Sequence, residues 1–163
     1  ACFVGPRVFI SSLGDSRAYL VRGRRIERLT VDHSMAQALA DAGVISASEV
    51  RTNKWRNRLV KFLGSTEADN EPDVRIVNWK PQDWLLLVSD GVTDVLDDKS
   101  LRDIVLRGSN PEKAADMLVE AALKNGATDD ATCVAMFIDH KPAQVRQAEA
   151  APQWIHSPAC ACP

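Results

Sequence analysis

The stretch Trp84-Leu85-Leu86-Leu87-Val88-Ser89 constrains the fold most, because it is apolar at every position except its last. The turn-forming sequence Pro81-Gln82-Asp83 precedes it, and Asp90-Gly91 follows it. A short, continuous apolar run between two turns is typical of a β-strand that is buried on both faces. We therefore expect a layered domain in which this strand lies inside a sheet.

The periodicity of apolar residues places further strands and helices. Alternating segments rich in β-branched residues predict strands over Arg7–Ser11, Arg17–Val21, Ile26–Leu29, Val74–Trp79 and Ala131–Ile138, the last of them buried. Because only turns separate the first three strands, we expect them to form an antiparallel meander. Helical spacing and capping residues predict helices that begin after Ser34, at Ser46, at Lys99 and after the Asn110 cap, from Pro111 to Lys124. Runs of strands followed by runs of helices predict an α+β domain.

Size and composition indicate one globular domain. The chain has 163 residues, of which 45% are hydrophobic and 26% charged, close to the average of folded proteins. A formal net charge of −2 provides no general attraction to nucleic acid or to an anionic membrane. The longest apolar run is too short to cross a bilayer. We interpret the basic stretch Arg51–Lys61 as a surface helix anchored by Trp55 and Phe62, since single-strand binding requires more stacking aromatic residues.

The cysteines give no strong metal pattern. Cys160 and Cys162 form a Cys-x-Cys near His156, while Cys2 and Cys133 are isolated. A zinc site needs a second ligand pair at a fixed spacing, so we favour a reduced, cytoplasmic protein. Ala1–Val8 does not have the pattern of a signal peptide. The acidic loop Gly64–Asp73 lacks the register of a calcium-binding loop and is interpreted as a linker.

Three aspartate turns adjoin the predicted strands. Asp15 lies in Gly14-Asp15-Ser16, Asp90 follows the buried strand, and Asp129-Asp130 precedes the last strand. Each one alone is most simply a turn residue, because aspartate favours turns. If the strand ends meet at one edge of a sheet, however, the carboxylates repel one another unless a cation lies among them. Mg²⁺ and Mn²⁺ take such oxygen ligands.

Five motifs occur in order along the chain: Leu13-Gly14-Asp15-Ser16-Arg17-Ala18-Tyr19, Leu29-Thr30-Val31-Asp32-His33-Ser34, Leu63-Gly64, Leu86-Leu87-Val88-Ser89-Asp90-Gly91 and Thr128-Asp129-Asp130-Ala131-Thr132-Cys133-Val134. From about Val8 to Ile138 the chain resembles the metal-dependent PPM-type (type 2C) Ser/Thr protein phosphatases of bacteria. The resemblance implies a layered α-β-β-α sandwich of antiparallel sheets. Residues 1–139 would form the C-terminal part of that domain, and residues 140–163 a flexible tail.

The resemblance also implies a set of site residues. Asp90 and Asp129 match ligands of a binuclear Mg²⁺ or Mn²⁺ centre, and Asp15 matches a ligand of a third, weaker ion. Ser89, Gly91, Asp130 and Arg17 flank these ligands, and no catalytic side chain is implied beyond the ligands themselves. The family usually has Asp-Asn where this chain has Asp129-Asp130, so Asp130 adds charge. The stretch from about Ser34 to Phe62 matches the flap beside the active site.

The implied activity is hydrolysis of phosphoserine and phosphothreonine on proteins by a metal-activated water. The implied partners are phosphoprotein substrates and a cognate Ser/Thr kinase. The alternative is a non-catalytic phosphatase-like module that binds a signalling partner. A phosphatase of the sporulation-regulator type would share the Asp129-Asp130 pair, but the Gly-Asp-Ser-Arg motif and the flap weigh against it. The family's N-terminal Asp-Gly-x-Gly-Gly turn, Glu-Asp pair and phosphate-gripping arginine have no match here. We therefore expect the isolated chain to have trace activity and to self-associate, because apolar faces and sheet edges would be exposed.

Overall fold

Two antiparallel sheets pack face to face in the computed structural model, which describes residues 1–66 and 70–139. The three-stranded sheet has the order β1-β2-β5, and the four-stranded sheet has the order β4-β3-β6-β7. The strands are β1 (Cys2–Val4), β2 (Arg7–Ser12), β3 (Arg17–Arg22), β4 (Arg25–Arg28), β5 (Asp73–Asn78), β6 (Trp84–Val88) and β7 (Cys133–Phe137). Val8 and Ile10 of one sheet meet Leu20 and Leu85 of the other in an apolar core between the sheets.

Helices cover the outer face of the four-stranded sheet. Of the helices α1 (Met35–Asp41), α2 (Asp90–Thr93), α3 (Asp98–Val105) and α4 (Pro111–Lys124), the last three contribute buried residues to this cover. A 3-10 turn lies at Val50–Thr52. Leu101 of α3 and Leu118 of α4 are fully buried in a second core with Tyr19 and Leu86. This arrangement explains why β6 is buried on both faces, as its apolar run predicts.

The α+β class and the antiparallel sheets are confirmed, but the described residues supply three of the four expected layers. No helix of residues 1–66 or 70–139 covers the outer face of the three-stranded sheet. Val4, Val74 and Ile76 lie on that face and are 45%, 63% and 53% exposed. The register supports this placement, because Ile76 pairs with Phe9, which points away from the core residues Val8 and Ile10.

The predicted three-stranded meander is wrong. The strands β3 and β4 do form a hairpin, but β2 pairs with β1 and β5 in the other sheet. The four inner residues of β3 are all buried, so this strand needs an apolar layer on both faces. Its neighbour is therefore the doubly buried β6, and the β2–β3 turn carries the chain from one sheet to the other.

The helix caps agree with the sequence. Ser34 Oγ accepts the N–H of Gln37 at 3.2 Å, and Asn110 Oδ1 accepts that of Lys113 at 2.8 Å. Both bonds satisfy amides that a first helical turn leaves without partners. Helix α3 begins at Asp98, one residue before the predicted start at Lys99, because Asp97 provides its N-cap.

Three local predictions fail. No helix begins at Ser46, and the stretch around Trp55 is a series of turns and not a surface helix. Before Trp55, the chain is extended at Asn53, whose Oδ1 accepts the N–H of Trp55 at 2.9 Å. Such a side-chain bond competes with a helix. The last strand is also not buried, since Val134 and Phe137 are 47% and 38% exposed.

Several predictions fall outside the described residues. These are the tail from residue 140, including His156, Cys160 and Cys162, and the acidic positions Glu67 and Asp69 of the linker. Among the helices of residues 1–66 and 70–139, none has the length and apolarity that a membrane crossing requires.

Candidate metal centre

The Asp15 turn connects the two sheets between β2 and β3. Asp15 follows Gly14, which is buried and has a φ of +114°. That conformation is in the region that glycine occupies readily and other residues avoid. The turn thus places a half-buried carboxylate at the start of the central strand β3.

Asp90 lies where β6 ends and the short helix α2 begins. Its Oδ1 accepts the N–H of Gly91 at 2.9 Å. This bond leaves the other carboxylate oxygen, Oδ2, without a hydrogen bond in the described structure. Asp94 follows one helical turn later, so Asp90 and Asp94 face the same side of the chain.

Ser89 and Gly91 hold the end of β6 close to the segment that precedes β7. Ser89 Oγ donates to the carbonyl oxygen of Asp130 at 3.0 Å and accepts the N–H of Thr132 at 2.9 Å. A Cβ on Gly91 would lie 2.6 Å from the same Asp130 carbonyl oxygen. The chain therefore needs glycine at position 91, and the Asp129-Asp130 segment is held directly beside Asp90-Gly91.

A concave pocket forms where the Asp15 turn, α2 and the segment before α1 meet. It contains both Asp15 and Asp90, together with two carboxylates that were not among the predicted ligands, Asp32 and Asp94. Asp32 belongs to the quoted motif Leu29–Ser34, so a signal for it was present in the sequence. The other lining residues are Arg17, Ser34, Val50, Arg51, Arg56, Asn57 and Thr93.

Negative charge in this pocket is only partly neutralised. Arg17 forms an ion pair with Asp32 at 2.6 Å, and Arg56 lies 3.5 Å from Asp94. Among the described residues, neither Asp15 nor Asp90 is ion-paired. Burial, and then the charges of Asp90, Asp32 and Asp94, raise the pKa of Asp15. A positive charge among these carboxylates would oppose the part of this pKa shift that comes from their mutual repulsion.

This charge pattern fits a hard divalent cation. Mg²⁺ is commonly held by one or two protein carboxylates and keeps several waters, and Asp15 and Asp90 offer such a pair. Within residues 1–66 and 70–139, no group of three or more acidic, histidine or cysteine side chains is arranged to hold a metal ion. The described residues therefore offer part of a metal site and not a closed cage.

The predicted site residues fall into two adjoining groups. Asp15, Asp90 and Arg17 share the pocket. Asp129 and Asp130 are exposed and do not line it, and Asp129 Oδ1 accepts the N–H of Asp130 at 2.7 Å. Ser89 and Gly91 lie between the two groups. The role of Asp129 as a metal ligand stays a prediction.

The segment predicted as a flap borders the same pocket. Val50, Arg51, Arg56 and Asn57 line one wall. A main-chain bond joins the two ends of the segment, because Met35 donates to the carbonyl oxygen of Arg58 at 2.7 Å. The flap arginines and the aspartates thus line the same pocket.

A family model described as protein phosphatase 2C matches residues 49–131. Among characterised relatives, the serine/threonine phosphatase Stp of Listeria welshimeri is 32% identical over 81% of this chain and 52% of its own length. The protein phosphatase PhpP of Streptococcus pneumoniae is 30% identical over 86% of this chain and 57% of its own length. The chain thus spans about half the length of these relatives.

Solved structures give the same result for the fold. The serine/threonine phosphatase PstP/Ppp of Mycobacterium tuberculosis superimposes with a TM-score of 0.78 at 30% identity, over 85% of this chain and 57% of that one. A structure of the PstP catalytic domain in complex with two manganese ions matches with a TM-score of 0.66 at 31% identity. That match covers 84% of this chain and 56% of the other.

Proposed function

Because this chain belongs to the protein phosphatase 2C family, we propose that it is part of a metal-dependent phosphatase acting on phosphoserine and phosphothreonine in proteins. The observation that carries the proposal is the pocket in which Asp15 and Asp90 lie together, neither of them ion-paired within residues 1–66 and 70–139. A relative whose structure contains two manganese ions has the same fold. The residues present fit a divalent ion of this kind.

We assign the ion-holding residues as follows. Asp90 and Asp129 would each help to hold a pair of Mg²⁺ or Mn²⁺ ions, and Asp15 would help Asp90 to hold a further ion. When bound, such ions lower the pKa of a coordinated water and neutralise phosphate charge. Ser89 and Gly91 keep the two segments that carry Asp90 and Asp129 together. Arg17 is ion-paired with Asp32, so this arginine does not compete with a metal ion for the Asp15 carboxylate.

The substrates we propose are phosphoproteins in the cytoplasm, including targets of a cognate Ser/Thr kinase. The flap arginines Arg51 and Arg56 are placed to attract the negative charge of a phosphorylated segment. Mispositioning of reacting groups alone costs on the order of a hundredfold in rate. Since this chain matches about half of its relatives, we expect only trace turnover when it is assayed alone.

The test compares the chain alone with a fusion to the N-terminal part of the Listeria relative that has no counterpart here. Hydrolysis of a phosphothreonine peptide is measured with and without Mn²⁺. We expect trace turnover of the chain alone and Mn²⁺-dependent turnover of the fusion. Asp90→Asn in the fusion should abolish turnover, whereas Asp116→Asn, on the exposed side of α4, should leave it intact.

Each contrary result has a defined meaning. Robust turnover of the chain alone would show that residues outside our assignment complete the site. Full activity of Asp90→Asn at saturating Mn²⁺ would remove Asp90 from the ligand set. A folded fusion that binds Mn²⁺ but does not hydrolyse the peptide would favour the non-catalytic alternative.

A further inference from the structure

His33 is a buried histidine that the proposed function does not use. Its side chain is only 7% exposed, and it does not line the pocket that contains Asp15 and Asp90. The imidazole Nδ1 accepts the N–H of Gly14 at 3.0 Å. An accepting Nδ1 carries no proton, so the ring is in the tautomer with its proton on Nε2.

The main chain of His33 makes a second bond to the same glycine. Its N–H donates to the carbonyl oxygen of Gly14 at 2.9 Å. Both backbone polar groups of Gly14 are thus bonded to one residue that lies 19 positions away in the chain. Buried backbone groups without partners are costly, so this pair of bonds fixes the Gly14 turn and, with it, the next residue, Asp15.

The other edge of the imidazole does not reach the pocket. Nε2 lies 3.3 Å from Oδ2 of Asp73 at the start of β5, but it has no hydrogen-bond partner in the described structure. The bond that Nδ1 accepts from Gly14 is therefore the hydrogen bond that the His33 side chain makes in the described structure.

The flap is attached at the same residue. The carbonyl oxygen of His33 accepts the N–H of Val60 at 2.8 Å, and Ser34 forms a bridge with Leu59. Both neighbours of His33, Asp32 and Ser34, line the pocket. His33 therefore joins the Asp15 turn on one side to the flap wall on the other.

We propose that His33 is a positioning residue, which holds the Gly14 turn through Nδ1 and so sets the place of the Asp15 carboxylate for a divalent cation. The cation part of this proposal rests on the proposed function. The turn-holding part rests on the two bonds to Gly14 alone. A simple packing role would require only the shape of the ring, whereas this role requires an acceptor at the Nδ1 position.

Three substitutions separate the two roles. His33→Asn keeps an acceptor at nearly the same place, because the Oδ1 of asparagine and the Nδ1 of histidine are both bonded to Cγ. His33→Gln moves the acceptor one bond further out, towards the position of Nε2, and His33→Leu fills space without any acceptor. The full 163-residue chain is used throughout, and the thermal midpoint of each variant reports whether it is folded.

The first measurement is hydrogen exchange of the Gly14 amide by ¹⁵N NMR in metal-free buffer. We expect exchange to be about tenfold faster in His33→Leu and His33→Gln, and within about threefold of wild type in His33→Asn. The second measurement is titration with Mn²⁺ alone, followed by the line broadening of amides near Asp15. Loss of a residue that orients a ligand costs about 10–100-fold in metal affinity, and we expect such a loss for Leu and Gln but not for Asn.

The outcomes are distinct. Equal behaviour of the Asn, Gln and Leu variants, or an unchanged Gly14 amide in all of them, would overturn the positioning role. If the Leu variant does not fold, the comparison of Asn with Gln decides the same question. If the wild-type chain shows no Mn²⁺ effect, the cation part of this proposal fails for the chain, the fusion assay decides the proposed function, and the Gly14 amide still decides whether His33 holds the turn.

Discussion

Arg17 and Asp32 face each other through a two-pronged ion pair at the edge of the pocket. Arg17 Nε lies 2.9 Å from Asp32 Oδ1, and Nη2 lies 2.6 Å from Oδ2. Asp32 is 6% exposed and Arg17 is 19% exposed, so water screens this pair weakly. The bonds to Asp32 raise the pKa of Arg17 although burial lowers it. Arg17 thus neutralises Asp32. The charges of Asp15 and Asp90 remain for another cation to neutralise.

Replacing Arg17 with lysine should destabilise the chain. Lysine cannot make the two parallel bonds of a guanidinium group. Arg28, whose Nη1 lies 3.6 Å away, is the other ion-pair partner of the buried Asp32 among the described residues. We expect Arg17→Lys to lower the free energy of unfolding by about 1–3 kcal/mol, measured by urea denaturation. The matched control is Arg75→Lys, in an exposed pair with Glu27, with an expected change below about 1 kcal/mol. Equal effects of the two variants would contradict this account.

Asp15→Asn should stabilise the metal-free chain at neutral pH. Burial and the charge of Asp90 raise the pKa of Asp15 above its usual value of 3.8, so the ionised form is less favourable in the folded state than in the unfolded state. The penalty is absent below the unfolded pKa and appears as pH rises through the folded pKa. The stability difference between variant and wild type should therefore shrink as pH falls from neutral to about 4.

Urea denaturation in the presence of a chelator measures this difference at each pH. Asp116→Asn, on the exposed side of α4, is the control and should show no such pH-dependent gain. Addition of Mn²⁺ should reverse the order, because wild type then gains the energy of metal binding. A variant that is less stable than wild type at neutral pH without metal would refute the repulsion argument.

Local sequence patterns predicted an element correctly where one physical feature, such as a helix cap or burial on both faces, accounts for the pattern. The helix from Pro111 to Lys124 is confirmed with its cap at Asn110, and the apolar run from Trp84 is a doubly buried strand. The meander failed because a turn does not reveal which sheet the next strand will join. That choice depended on the burial of both faces of β3. The exposure of β7 could not be predicted either, since its apolar residues resemble those of a covered strand.

The candidate site shows the same limit. Turn aspartates after strands led to Asp15 and Asp90, which do share a pocket. Asp94 was missed because its position depends on the short helix α2, which the sequence did not predict. The role of His33 depends on a bond between residues 19 positions apart, and no local pattern indicates such a contact.

Gly91→Ala should separate the strand ends that carry the proposed ligands. The new Cβ would lie 2.6 Å from the carbonyl oxygen of Asp130 and 2.8 Å from its carbonyl carbon. Because both are backbone atoms, the segment before β7 must move, and we expect a loss of about 1–3 kcal/mol in stability. Gly108→Ala is the control, since its Cβ would meet Ala114 Cβ at 2.7 Å, away from the pocket. Mn²⁺ binding should weaken in Gly91→Ala only, and equal weakening in both would argue against a local effect.

Tyr19 should titrate unusually late. Burial raises the pKa of this tyrosine to about 12, Arg17 opposes the shift, and Asp98 adds to it. Tyr19 is the only tyrosine in the chain, so its ionisation can be followed directly by ultraviolet absorbance. We expect a midpoint near 12 in the folded chain and about 10 in urea.

The free energy of unfolding should depend on pH because the pKa of Tyr19 differs between the folded and the unfolded state. The unfolded state loses the phenol proton first, so the free energy of unfolding should fall as pH rises from about 10 towards 12. Tyr19→Phe should remove this part of the alkaline decline. It should also cost about 1 kcal/mol at neutral pH, because Asp98 loses the hydroxyl that donates to it at 3.0 Å. A folded-state midpoint near 10 would show that the ring is accessible to water.

The outer face of the three-stranded sheet should drive self-association of the chain. Val74 and Ile76 are 63% and 53% exposed there, and β5 pairs only with β2, which leaves its other edge open in the described structure. Exposed apolar faces and free strand edges both promote association. The double variant Val74→Thr and Ile76→Thr keeps β-branched side chains and should shift the chain towards monomer in sedimentation velocity at high concentration. Leu123→Gln, which removes a side chain 61% exposed on α4, should change the distribution little. If the helix variant reduced association as much as the sheet variant, the association would come from general apolar exposure and not from this face.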